Sequence, residues 1–321
     1  MNDLATIGIL DQFQTDLLAL WRRLPNKGFF FALLAAWLAL FQFLGNSILG
    51  YVHTPSLFAW LNAAYNSPNT SADDAIGNFI PFLVLGLLWW KRGELLALPL
   101  KMWMPAILLL LFAMVLHVFG YVVQQPRLSV IAMFAGIYGL MGLAWGREWL
   151  RGSFFPFFLF VFCVPLGVQA DVFTFPLRRL VCWLVEVISH GVLGIGVVRQ
   201  GTQLFNPSGA YQYEVAAACS GIRSLVAIFL LTTVYGFVMS RSTWKRLLMM
   251  ATALPFAVLG NLIRMLCIIL AAEIGGQKAG NYVHEGGPFG IISLLPYVPA
   301  IIGVLYLGQW LHDRTAEKPA A

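Results

Sequence analysis

Three side chains that could take part in catalysis lie within or beside apolar segments in the second half of the chain. Cys219 precedes one apolar run, Arg264 lies inside the next, and His284 follows that second run. A thiol is nucleophilic as its thiolate, which a helix N-terminus or a nearby cation favours. An imidazole titrates near neutral pH and can exchange a proton with such a thiol. These residue types predict nucleophilic catalysis by a cysteine.

The stretch EVAAACSGIRSL, residues 214–225, surrounds the thiol with further polar groups. Ser220 is suited to cap the helix that follows, and Arg223 falls one helical turn after Cys219 on the same face. Glu214 opens the stretch and is grouped with these supporting residues. A structural interpretation is also open, in which Cys219 is a small buried thiol and Arg223 extends to the membrane surface.

The apolar run PFAVLGNLIRMLCIILAAE carries Arg264, and a charge inside a membrane is costly unless it has a partner. If this run reaches the outer surface near residue 272, Arg264 lies about 12 Å below that surface. An outward-facing pocket could reach this depth. Asn261, three residues earlier on the same face, could orient the guanidinium or join two helices. The structural alternative is that helix carbonyls or Glu186 satisfy Arg264.

The composition is that of an integral membrane protein, because 60% of the residues are hydrophobic and only 11% are charged. The net charge of +6 comes from basic residues at the ends of apolar segments, so it does not indicate nucleic-acid binding. The 4 cysteines form no CxxC pair, which argues against a disulfide framework. No HExxH, Walker or dinucleotide motif is present, and we expect no metal and no cofactor.

The apolar segments predict an all-α polytopic membrane protein with about eight transmembrane helices, since a span needs roughly 20 apolar residues. The predicted spans are 28–50, 76–90, 103–123, 129–146, 153–170, 221–239, 247–272 and 289–311. Residues 1–27 have apolar positions at helical spacing and predict an amphipathic helix on the membrane surface. We therefore expect an N-terminal segment 1–27, a single transmembrane catalytic domain 28–311 and a tail 312–321.

Most of the 20 Lys and Arg residues cluster on one set of segment ends, which predicts that both termini are cytoplasmic. Residues 214–221 then face outward. The outer region 171–220 contains an apolar stretch, 180–196, that we interpret as an interfacial or re-entrant helix, because a ninth span would reverse the basic ends that follow. The turn residues 206–209 and the alternation after them predict a small hairpin on the outer face.

The segments ACSGIRSL at 218–225 and NLIRM at 261–265, followed by the His284 loop, resemble in order and spacing the signature of the exosortase and archaeosortase family. The resemblance covers residues 76–310. The histidine is similar to the bacterial exosortase branch, since the archaeal enzymes tend to have arginine there. The N-terminal segment and the first span match no motif of the family.

The resemblance implies a membrane cysteine transpeptidase with Cys219 as nucleophile, Arg264 as catalytic arginine and His284 as third member. Its substrates would be secreted proteins whose tails combine a short motif such as Pro-Glu-Pro, one transmembrane helix and a basic end. The implied partners are these sorting-signal helices, membrane lipid and an unidentified acceptor. The implied location is the bacterial cytoplasmic membrane, with the site facing the periplasm. Arg223 would recognise the substrate glutamate or play a structural part.

Two other classes of function stay open from the residues alone. A rhomboid-like intramembrane serine protease would use Ser220, but Ala218 stands where that motif expects glycine. A polytopic transporter would explain Glu186 and Arg264 as parts of a permeation path, and it predicts internal repeats that the sequence lacks.

Overall fold

The computed structural model describes residues 3–45, 54–66, 72–166, 170–214, 222–240, 242–287, 292 and 295–311. These residues form helices and one small sheet. Contacts between Cα atoms divide the chain into two units, Met1–Thr70 with Asp74–Pro165, and Ser71–Asp73 with Leu166–Ala321. This division into two units does not test the predicted single catalytic domain 28–311, which stays a prediction.

The first unit contains eight α-helices in its described residues. They are α1 Asp3–Arg23, α2 Lys27–Phe43, α3 Leu57–Asn66, α4 Ile80–Trp90, α5 Arg92–Leu96, α6 Ala106–Val122, α7 Pro126–Trp145 and α8 Arg147–Phe158. Short 3₁₀ turns cover Ala72–Asn78 and Leu159–Cys163.

The N-terminal helix α1 is bent away from α2, with an angle of 94° between Asp11–Arg23 and Lys27–Phe43. Asn26 makes this corner with φ of 52°, a conformation that asparagine tolerates better than most residues. Arg92 holds α1 through an ion pair with Asp16 at 2.5 Å. Leu18 is 55% exposed, so apolar surface is accessible in the second half of α1. The location of segment 1–27 on the membrane surface stays a prediction.

Helices α6 and α7 form an antiparallel hairpin against which α2 packs. The indole Nε1 of Trp37 donates to the carbonyl of Met133 at 2.9 Å, and Gly136 leaves the space that this ring occupies. The opposite face of α6 is apolar and exposed, including Leu108, Val115 and Val122. Such a continuous apolar surface is typical of contact with lipid.

Several predicted spans correspond to apolar helices, although not all are long enough to cross a bilayer alone. Within the described residues, Pro126–Trp145 and Thr243–Glu285 meet the length and hydropathy of a span, and the bent α1–α2 pair would add a third. The shorter apolar helices are Ile80–Trp90, Ala106–Val122, Leu225–Met239 and Leu295–Leu311. The structure is that of a helical membrane protein, and the count of eight spans stays a prediction.

Two parts of the first unit differ from the predicted boundaries. The region 51–75, expected to be an outer loop, contains α3 with Leu57 and Trp60 fully buried or nearly so. The expected span 153–170 instead begins with α8 at Arg147, contains Pro156 and tightens into a 3₁₀ turn at Leu159. Proline removes an internal helix hydrogen bond, which accounts for the early end of α8.

The second unit carries the three-stranded sheet and the remaining helices. The helices are α9 Ala170–Ile188, α10 Ile222–Met239, α11 Thr243–Ala251, α12 Ala253–Glu285 and α13 Val298–Leu311. A π-helical turn covers Ser189–Leu193, and a 3₁₀ turn covers Leu295–Tyr297. The strands are β1 Val198–Gln200, β2 Gln203–Phe205 and β3 Gln212–Glu214.

The sheet has the antiparallel order β1–β2–β3, with Leu204 opposite Tyr213. The predicted hairpin is confirmed as β2–β3. The additional strand β1 was not predicted, because it is only three residues long and joins β2 through a two-residue turn at Gly201. The sheet packs on α9 and α12 through a buried apolar cluster that includes Val181, Leu204 and Ile268.

Helix α9 is longer than the apolar stretch 180–196 from which it was predicted. It begins at Ala170 and buries one face that carries Arg178, Val181, Cys182 and Val185. It is not among the described helices with the length and hydropathy of a membrane span. This composition is in keeping with an interfacial or re-entrant helix, and its depth in the membrane stays a prediction.

Candidate active site

Arg264 and His284 meet in the second unit although 20 residues separate them. The Nη2 atom of Arg264 donates a hydrogen bond to the backbone carbonyl oxygen of His284 at 3.2 Å. In a straight helix the same two residues would lie about 30 Å apart. The sequence predicted that Arg264 and His284 lie close together, and the structure shows this contact.

A break in α12 makes this contact possible. Gly275 has φ of −125° and ψ of 15°, and Gly276 has φ of 69° and ψ of −172°. The second combination is in effect restricted to glycine, because a Cβ atom would collide with the backbone. The helix resumes at Gln277 and ends at Gly286, which caps it in the left-handed conformation. The break thus returns the final two turns of α12 to the level of Arg264.

His284 lies in the last turn of α12, which corrects the prediction that it is in a loop. The glycines on both sides suggested a loop, but only the glycines at 275, 276, 286 and 287 mark breaks or turns, and Gly280 is helical. Gly280 is buried, and a Cβ atom there would lie 1.9 Å from the hydroxyl oxygen of Tyr213. The glycine at this position therefore serves close packing against β3.

His284 is partly buried in the resumed part of α12, and Glu285 follows it in the chain. An imidazole can accept and return a proton, which is the chemistry required of a general base.

The guanidinium of Arg264 retains hydrogen-bonding capacity after its contact with His284. Its Nε atom is buried and has no hydrogen-bond partner among the residues that the structure describes. Glu186 does not partner Arg264: its carboxylate accepts from the backbone and side chain of Arg199 at 3.2 and 3.1 Å. The structural alternative expected Arg264 to bond a helix carbonyl or Glu186. Arg264 bonds the carbonyl of His284, whereas Glu186 bonds Arg199.

Asn261 lies one turn before Arg264 and is 2% exposed. Its Oδ1 atom has no hydrogen-bond partner in the described part of the chain, and the same holds for Oγ1 of Thr174 on α9. Both residues line a narrow cleft between α9, α10 and α12, whose empty space, including the part open to solvent, is about 270 Å³. The other lining residues are apolar: Leu177, Val181, Leu225, Ala257 and Val258. Asn261 therefore contributes a buried acceptor to an apolar cleft.

The remaining predicted site residues lie at or beyond the limits of the described chain. Glu214 is the exposed last residue of β3. Cys219 and Ser220 lie outside the described residues, and Arg223 falls in the first turn of α10 with its side chain outside the description. In the sequence, four residues separate Cys219 from Glu214 and two separate it from Ile222.

Sequence reasoning missed the residues that attach the sheet to α12. The carboxylate of Glu273 accepts from Tyr211 at 3.1 Å and from Asn206 at 3.3 Å. Beyond the glycine break, the side chain of Gln277 exchanges hydrogen bonds with the backbone of Gln212. No short sequence motif predicts such contacts, because they join positions more than 60 residues apart.

The described residues contain no group of three or more metal-ligating side chains. Their polar groups instead combine one cation, one imidazole and one buried amide within α12. Such an arrangement can transfer a proton and stabilise negative charge.

Comparison with known proteins identifies the family. The family description that matches is "transmembrane exosortase", over residues 60–298. The comparisons with curated proteins and with solved structures gave no match. The matched region holds all three residues of the predicted site and covers most of the chain. The chain belongs to the transmembrane exosortase family.

Proposed function

We propose that the protein is a membrane-embedded cysteine transpeptidase that removes the C-terminal sorting signal of secreted proteins. Membership of the exosortase family suggests a membrane sorting enzyme. The observation that supports the proposal within this chain is the contact of Arg264 with His284, which brings a cation and an imidazole together in the helix that is hydrogen-bonded to β3. The proposed substrate tail has a Pro-Glu-Pro-like motif, one transmembrane helix and a basic end.

In the proposed first step, His284 accepts the proton of the Cys219 thiol. The thiolate sulfur then attacks the scissile carbonyl carbon, and a tetrahedral intermediate forms with a negatively charged oxygen. When the C–N bond breaks, His284 returns its proton to the leaving amine. The tail helix departs, and the secreted protein is held as a thioester. An acceptor nucleophile, or water, then attacks the thioester and restores the thiol.

The proposed role of Arg264 is to stabilise negative charge, either on the oxyanion or on the thiolate. Its buried Nε donor has no partner among the described residues, so it is available for a charge that develops during reaction. Its Nη2 donor is already used to hold the backbone of His284. One side chain would therefore both hold the base and contact the reacting atoms.

Supporting roles follow for the other residues near the proposed nucleophile. Ser220 would cap α10, and Arg223 would bind the glutamate of the sorting motif through paired hydrogen bonds. Asn261 would orient the Arg264 region from the apolar cleft, and Glu214 would mark the end of the strand next to the substrate. The site would face the periplasm of a bacterial inner membrane, with both termini cytoplasmic.

The proposal is tested by processing of a tagged secreted substrate in membranes. Cys219→Ala should abolish processing, whereas Ser220→Ala should leave most of it. Loss with Ser220→Ala alone would assign the chemistry to a serine protease. Membrane levels of each variant must match the unsubstituted enzyme, because a buried substitution can remove activity by unfolding.

A further inference from the structure

The edge of the small sheet is hydrogen-bonded to a side chain rather than to another strand. The backbone N–H of Gln212 donates to Oε1 of Gln277 at 2.8 Å, and Nε2 of Gln277 donates to the carbonyl of Gln212 at 3.2 Å. The carboxamide thus reproduces the pair of bonds that a neighbouring strand would make. An amide can do this because it presents one donor and one acceptor side by side.

The register of the hairpin explains why these backbone groups are available. The backbone N–H of Asn206 donates to the carbonyl of Tyr211, so these two residues form a hydrogen-bonded pair of the antiparallel ladder. Hydrogen-bonded and non-hydrogen-bonded pairs alternate, and the next pair, Phe205 and Gln212, is therefore non-hydrogen-bonded. The N–H and C=O of Gln212 therefore point away from β2, toward α12. The hydroxyl of Tyr213, the next residue, donates to the backbone carbonyl of Gln277 at 3.2 Å.

Gln277 occupies a decisive position in α12, since it is the first residue after the Gly275–Gly276 break. His284 follows seven residues later, two turns along the same face of the resumed helix. A helix of nine residues, 277–285, is too short to be stable by itself, so tertiary contacts must fix its direction. The structure supplies contacts at both ends. At the start, the Gln277 side chain bonds the backbone of β3 and the Tyr213 hydroxyl bonds the Gln277 carbonyl, and at the end Arg264 bonds the His284 carbonyl.

We infer that Gln277 is a positioning residue of the active site, whose bidentate contact with Gln212 sets the placement of His284 relative to strand β3. This inference rests on the proposed function, in which Cys219 is the nucleophile and follows β3 in the chain. The amide contact joins the helix that carries the proposed base to the strand that precedes the proposed nucleophile. Displacement of reacting groups by about 1 Å can reduce rates by about 100-fold.

The chain offers a matched control for this contact. Gln203 also has a side chain that bonds Gln212, accepting from its Nε2 atom at 3.3 Å, but it lies on β2 and does not reach α12 through this bond. Methionine has nearly the volume and helix propensity of glutamine and lacks its hydrogen bonds. Gln277→Met and Gln203→Met therefore remove comparable groups, of which only the first joins the sheet to α12.

Processing kinetics of the full-length enzyme in membranes test the inference first. We expect Gln277→Met to lower kcat roughly 10- to 100-fold with KM changed less than about twofold, and Gln203→Met to change neither by more than about twofold. In a His284→Ala background, Gln277→Met should cause less than about twofold further loss, because residues that act through one another are not additive. An equal loss in both backgrounds would mean a general structural role and would overturn the inference.

A second measurement separates this inference from the proposed function. The pH dependence of Cys219 alkylation by iodoacetamide, followed by mass spectrometry without substrate, reports the thiol and its base. Gln277→Met should shift this profile in the same direction as His284→Ala, and Gln203→Met should not. A shift in an enzyme that fails to process any sorting signal would support the positioning role and reject the proposed substrate. Normal processing with no shift and no loss of kcat in Gln277→Met would reject the positioning role and leave the proposed function intact.

Discussion

Arg264 donates a hydrogen bond to the main-chain carbonyl of His284 across a reversal of a single helix. The contact is to the backbone carbonyl and not to the imidazole ring. A single cation therefore fixes the backbone position of His284, which is the proposed base.

The glycine break is the first feature that mutation can test. Gly276→Ala places a Cβ atom in a backbone conformation that costs about 1–3 kcal/mol for other residues. We expect the resumed helix to lose its direction, and processing to fall at least tenfold while the rest of the protein stays folded. Gly191→Ala is the control, because no heavy atom lies within 4 Å of a Cβ placed there. Unchanged processing by Gly276→Ala would show that the reversal is not needed.

The geometry of Arg264 gives a second prediction. Arg264→Lys keeps the positive charge but loses the planar fork, and one ammonium cannot hold the His284 carbonyl while also presenting a donor at the Nε position. We expect about 100-fold lower kcat with the membrane level and thermal stability little changed. Near-normal kcat in Arg264→Lys would mean that charge alone suffices.

Orientation in the membrane can be measured through the cysteines. An impermeant thiol reagent applied to spheroplasts should label Cys219 but not Cys163, which is 2% exposed. The expectation follows from the basic residues on the opposite segment ends, which we expect to stay in the cytoplasm. Labelling of Cys219 only after permeabilisation would place the site on the other side.

The sequence was informative where chemistry or hydropathy follows a local pattern. Apolar runs predicted the helices, turn residues at 206–209 predicted the β2–β3 hairpin, and a shared outer side predicted that Arg264 and His284 meet. The helical state of His284 was not predictable from its glycine-rich surroundings, since the same glycines serve a break, a cap and close packing. The Gln277–Gln212 contact was also missed, because it depends on which edge of β3 faces α12.

The central claim, that Cys219 forms a thioester with the sorted protein, is tested most directly by trapping that intermediate. Purified enzyme and a sorting-signal substrate are mixed, quenched in acid and digested for mass spectrometry. We predict an adduct on the Cys219 peptide whose mass corresponds to the substrate without its tail helix, and which neutral hydroxylamine releases. An adduct on Ser220, or continued cleavage by Cys219→Ala, would contradict the claim.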